Sequence, residues 1–105
     1  MDETRFDQLG RAELRAIEDA FEDVDPDDVE VSSSDGVLTL ELRDGVKVVI
    51  NTHRAARQIW MAAVASAWKF DYDDATGRWR TAAGDDLRDT IRRLVAERVG
   101  VEVPL

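Results

Sequence analysis

The chain has 105 residues, 44% hydrophobic and 35% charged, with a formal net charge of −9. That composition excludes disorder and allows one modest core, so a single domain over residues 1–105 is expected. Zero cysteines exclude disulfides, thiolate metal sites and thiol catalysis, and a single histidine leaves any metal to oxygen ligands.

From Thr4 to Asp23, apolar residues recur at Phe6, Leu9, Leu14, Ile17 and Phe21, the 3–4 spacing of an amphipathic helix. Asp2 or Thr4 is the candidate N-cap, and Pro26 is expected to help end the helix. Val29 and Val31 then alternate with Glu30 and Ser32 as a strand. Asp35-Gly36 and Asp44-Gly45 are turn pairs flanked by alternating runs, Leu38–Leu40–Leu42 and Val46–Val48–Ile50, which predicts hairpins. A loop is expected at Thr52–Ala56. Alternation resumes at Ile59 and Met61, then at Trp68, Phe70 and Tyr72, with a short strand at Trp79. Leu87, Ile91, Leu94 and Val95 define a closing helix from Asp85 to Val99, stopped by Gly100. Helix, five or six antiparallel strands and helix make an α+β, two-layer sandwich with both helices on one face of the sheet.

Charge is strongly polarised along this layout. Residues 1–35 carry 13 acidic and 3 basic side chains, whereas residues 36–105 carry 10 acidic and 11 basic. Between Glu18 and Glu30 stand Glu18, Asp19, Glu22, Asp23, Asp25, Asp27, Asp28 and Glu30, with no lysine or arginine among them. On a continuing helix, Glu18 and Glu22 form one row and Asp19 and Asp23 another. Charges this dense repel one another, so the surface suits cations or a basic partner. An ordinary solvated helix face is the plain alternative. Asp23-x-Asp25-x-Asp27 begins like an EF-hand loop, but Asp28 stands where glycine is required and Ser34 where the closing glutamate belongs. An open array of this kind should hold hard cations weakly, at roughly 10⁻⁵ to 10⁻³ M.

Strand parity puts Trp60 on the sheet face away from the helices, with Thr39, Glu41, Lys47, Asn51, Gln58 and Lys69. It reads either as an interface anchor or as a ring lying over neighbouring aliphatic stems. Trp68 and Trp79 read as core. His53 reads as plain loop surface. No nucleophile–base pair, phosphate loop or paired-acid motif stands out. The arginines Arg88, Arg92, Arg93 and Arg98 alternate with Asp89 and Glu97, a solvated helix face without the footprint of a nucleic-acid binder. No apolar run approaches the roughly 20 residues of a membrane span. Met-Asp-Glu-Thr-Arg has the layout of neither a signal peptide nor a presequence, so a cytoplasmic location is expected.

The acidic first helix running into an acidic strand, Gly36-Val37-Leu38-Thr39, Val49-Ile50-Asn51 and Gln58-Ile59-Trp60-Met61-Ala62 together resemble the frataxin family in its bacterial, CyaY-type form. Phe70-Asp71, Trp79 and the closing helix extend that resemblance over nearly the whole chain; Thr52–Arg57 departs from the usual pattern. The resemblance implies the same α-β sandwich and a role in iron–sulfur cluster assembly. It implies iron, Fe²⁺ or Fe³⁺, bound weakly and reversibly at Glu18, Asp19, Glu22, Asp23, Asp25, Asp27 and Glu30. It also implies docking on a cysteine desulfurase and an iron–sulfur scaffold protein, with Asn51, Gln58 and Trp60 on the contact face, by a chain that is monomeric when metal-free. The alternative is an acidic interaction module that docks on a basic protein and binds metal incidentally. A ferroxidase-like enzyme is the weaker third reading, because no ligand set here closes a redox-active iron centre.

Overall fold

The computed structural model describes residues 1–105, in the order α1 (Glu3–Ala20), β1 (Val29–Ser34), β2 (Val37–Leu42), β3 (Lys47–His53), β4 (Gln58–Ala63), β5 (Ser66–Asp73), β6 (Arg78–Arg80) and α2 (Leu87–Val99). All six strands pair antiparallel with their sequence neighbours, so the sheet is a meander of order β1-β2-β3-β4-β5-β6. The first hairpin is closed by Asp35 and Gly36 at φ 43° and 79°. Both central residues are left-handed, as a two-residue turn between twisted strands requires, and Asp-Gly tolerates that best. Strand alternation then does the sorting. Leu38, Leu40, Leu42, Val48, Ile50, Ile59, Met61 and Phe70 are buried on one face, while their neighbours in sequence point to the other.

The helices cover that buried face. Phe6, Leu14 and Ile17 of α1 and Leu87, Ile91, Val95 and Val99 of α2 complete the core. Gly10 lets α1 lie close on β3: a Cβ there would be 3.0 Å from the Thr52 Cγ2. Mid-helix glycine costs about 1 kcal/mol, offset here by that close approach. The Asp2 carboxylate accepts from the Arg5 N–H at 2.7 Å and caps α1, and Asp86 caps α2. The tail beyond Gly100 also packs, with Val103 buried.

Three expectations need correction. The helix ends at Ala20 and not near Asp23, because the backbone tightens into three-residue turns: the Phe21 N–H bonds to the Glu18 carbonyl and the Glu22 N–H to Asp19, each at 3.1 Å. Burial of Phe21 holds this turn, so Pro26 has no helix to stop. His53 lies at the end of β3 and not in a loop, paired with Gln58. Trp68 is half-buried at the margin of the core, whereas Trp79 is fully inside.

Two bidentate ion pairs tie α2 down. Arg88 donates to the buried Glu13 carboxylate of α1 at 2.8 and 2.9 Å, and Arg78 donates to Asp86 at 2.5 and 2.7 Å. The Arg78 guanidinium, and then the Asp89 N–H, hold the Asp86 carboxyl below its ordinary value of 3.8. A depressed carboxylate contributes stability that is present above the unfolded pKa and is lost as pH falls through the folded one. Stability from this pair should therefore persist down to about pH 4 and decline below it. Asp86→Asn, which keeps the capping oxygen, should flatten that acid limb in urea titrations at stepped pH. Asp86→Ala loses the cap as well and should cost about 2 kcal/mol at neutral pH. An Asp86→Asn acid limb of unchanged slope would place the acid sensitivity elsewhere.

Candidate metal and partner surfaces

The acidic residues run along the last turn of α1, the connecting turns and the start of β1. Glu18 is half-buried and accepts a hydrogen bond from the Ser33 hydroxyl at 3.1 Å. Asp19, Glu22, Asp23, Asp25, Asp27 and Glu30 are exposed, with the Asp25 carboxylate accepting the Asp27 N–H at 2.9 Å. The α-helix stops at Ala20, so Glu22 and Asp23 stand on the turn that follows it, and Glu22 lines one cavity with Glu18 and Asp19. Nowhere do three of these side chains converge on one metal position. The row is an open one, and such a row attracts hydrated cations by charge without building a coordination cage.

Two arginines outside the run approach the row, Arg43 from 15 residues away and Arg15 from the preceding turn of α1. Arg43 pairs with Asp28 and also donates to the Val99 carbonyl at 3.2 Å. Arg15 shares a cavity of about 470 Å³ with Glu18, Asp19, Phe21, Glu22 and Val31. A run without cations in sequence is thus not free of them in space. The negative end of α1 has the opposite effect. Its last turn holds no basic residue, so the helix dipole adds to the carboxylate field of Glu18 and Asp19.

The second surface is the open face of the sheet. One cross-strand row, Asn51–Trp60–Lys69, crosses it, and beside it the pair His53–Gln58 is extended to Asp71 by a side-chain hydrogen bond. Trp60 is half-buried, and its indole N–H donates to the Gln58 side-chain oxygen at 2.9 Å. The Gln58 amide in turn donates to Asp71 at 3.0 Å, which fixes which way the amide points. The His53 ring stacks on Trp60 with centroids 3.8 Å apart and planes 17° apart, and the Lys69 ammonium stands 4.8 Å from the indole centroid. Trp60 is therefore a held ring, not a loose one. His53 was missed from the sequence because hydrophobic alternation fades after Ile50. Its odd-numbered parity with Val49 and Asn51 was the available signal.

An antiparallel meander with both helices on one face, an acidic edge and a polar face centred on one tryptophan define an α+β sandwich of frataxin type. The Frataxin-like domain model matches residues 1–101, and the chain belongs to that family. The iron-sulfur cluster assembly protein CyaY of Azotobacter vinelandii is 37% identical over 102 residues, covering 96% of this chain and 92% of that protein. The protein of the same name from Pseudomonas aeruginosa is 35% identical over 104 residues, covering 98% and 95%. Among solved structures, frataxin from Psychromonas ingrahamii superposes with a TM-score of 0.89 at 25% identity, covering 98% of this chain and 96% of that one. Trimeric frataxin from Saccharomyces cerevisiae, complexed with ferrous iron, gives 0.70 at 28% identity, covering 96% and 88%.

Mutual repulsion along an exposed carboxylate row is a destabilising term that screening relieves. Thermal midpoints at neutral pH should rise with added NaCl, and rise further with millimolar Ca²⁺ or Mn²⁺. A flat or falling midpoint would mean that the row is already neutralised by Arg15 and Arg43.

Proposed function

We propose that this chain is a non-enzymatic, iron-binding regulator of iron–sulfur cluster assembly, acting as one frataxin-like domain in the cytoplasm. The process comes from its relatives, which carry that role in their names. The chemistry rests on one observation: the open carboxylate row along the end of α1 and the start of β1. In this reading Glu18, Asp19, Glu22, Asp23, Asp25, Asp27 and Glu30 hold Fe²⁺ or Fe³⁺ weakly and reversibly, with water completing the shell. The yeast relative complexed with ferrous iron supports the choice of metal. The same row steers the metal-free monomer toward a cysteine desulfurase, whose surface is basic. Asn51, Gln58 and Trp60 then seat the open sheet face on the desulfurase–scaffold assembly.

One observation favours a second reading. With no three carboxylates converging, the row also suits a purely electrostatic docking surface on which metal is incidental. Iron decides between them. Micromolar Fe²⁺ should broaden NMR signals of residues 18–30 and change desulfurase regulation in step. Combining Glu18→Gln, Asp19→Asn, Glu22→Gln and Asp23→Asn should remove that broadening and leave the protein folded. Broadening centred on His53 would move the metal site off the row.

The two surfaces should separate kinetically. Trp60→Ala removes a ring that fills no core position, so folding should survive. Interface tryptophans contribute about 2 kcal/mol or more, roughly a thirtyfold loss of affinity, and the loss should appear as faster dissociation. Neutralising the row should instead slow association and weaken its dependence on salt. Binding kinetics at two ionic strengths measure both effects. A Trp60→Ala variant that binds the assembly normally would remove the open face from the contact.

A further inference from the structure

The sheet has two edges, and they are treated differently. β6 is three residues long, and Arg80 bridges onward to Asp86. β1 runs for six residues, pairs with β2 alone and contains no lysine, proline or glycine. Charged side chains, lysine above all, prolines and bulges are the usual means of blunting an exposed edge, and of these β1 carries only Glu30. The phase of the β1 ladder follows from its first residues. The Arg43 N–H bonds to the Asp28 carbonyl at 2.9 Å, while the Val29 N–H turns away to Asp25 at 3.1 Å. Alternate residues of an antiparallel pair exchange bonds, so Glu30, Ser32 and Ser34 face β2. Val31 and Ser33 direct their N–H and C=O groups outward, and no turn, loop or cap takes them up.

Both sides of this edge are acidic. On the helix side lies the cavity of about 470 Å³ whose apolar parts are Phe21 and Val31 and whose walls are the carboxylates Glu18, Asp19 and Glu22 and one cation, Arg15, so that it keeps an excess of negative charge. On the other side Glu30 is exposed. Cross-strand neighbours point to the same face of a sheet, so a residue added beside Val31 sends its side chain into the cavity. A long aliphatic stem with a cationic head fits there, its methylenes on Phe21 and Val31 and its charge among the carboxylates.

We propose that β1 is a docking edge: an extended, basic segment of a partner protein adds to the sheet beside Val31 and Ser33 and sets a lysine or arginine into the cavity between α1 and β1. In such strand addition main-chain bonds supply affinity, and pockets for alternate side chains supply specificity. The inference rests on the partner-docking part of the proposed function. It adds a register that long-range attraction lacks.

A short, end-capped peptide of alternating lysine and valine tests the edge on the unmodified protein. Binding should shift the amide signals of Val31 and Ser33 and slow their hydrogen exchange. Two further peptides carry backbone N-methyl groups, one at the lysines and one at the valines. One of them should lose affinity about tenfold or more and the other should bind normally, since only one set of N–H groups faces β1. Loss on lysine methylation denotes antiparallel addition, and loss on valine methylation denotes parallel. Equal binding of all three, with shifts confined to Glu18–Asp25, would overturn the docking edge and leave electrostatic docking in place. Failure of every peptide at low salt would overturn both. Protection of Val31 and Ser33 without peptide, with a concentration-dependent dimer, would assign the edge to a second copy and overturn the partner.

Discussion

Strand alternation is the constraint on which the remainder of this structure depends. Each strand of the meander buries every second residue under α1 and α2, so a slip of one residue would exchange the core for the open face. Hairpin chemistry prevents the slip. Asp35-Gly36 fixes Ser34 against Val37, and Asp44 bonds the Val46 N–H at 3.0 Å in the next turn. Because that register is secure, the opposite face is free of any packing duty. Trp60, Gln58 and His53 are ordered by one another and by Lys69 and Asp71, not by the core.

Much of this was legible in the sequence, and the reasons differ by element. Period-two runs and two Asp-Gly pairs sufficed for the strands, because local pattern and tertiary burial agree there. The parity that placed Trp60 on the open face follows from the same rule. The end of α1 was misjudged because Phe21 continues the helical spacing, yet its burial is achieved from a three-residue turn. His53 was misplaced because strand β3 is prolonged by pairing with β4, a tertiary cause that polar residues do not advertise. The acidic run was read correctly as a surface but incompletely as an electrostatic one. Arg43 reaches Asp28 from 15 residues away, and no local pattern announces that.

Longer separations were beyond reach altogether. Arg88 and Glu13 are 75 residues apart, and the buried position of Glu13 gave no sign of itself in an acidic, amphipathic helix. Two-pronged geometry makes this pair directional. With its partner removed, Glu13 would be a buried charge without compensation, which is far costlier than a broken surface pair. The pair therefore specifies how α1 and α2 lie relative to each other more than it adds to stability.

These features explain how a chain can carry nearly all its net charge at one end and still fold. The self-repelling carboxylates of the last turn of α1, the connecting turns and an edge strand point mostly to solvent, while Ile17, Phe21 and Val29 of the same stretch are buried in the core. The central strands β2 to β5 and the face of α2 hold most of the buried apolar side chains, and only β2 adjoins the row, with Glu30 opposite Glu41. Burial and charge are thus separated by the direction in which side chains point and not by distance. A cation or basic segment arriving at β1 relieves that repulsion, and the near-neutral balance of residues 36–105 leaves long-range attraction directed to the acidic stretch.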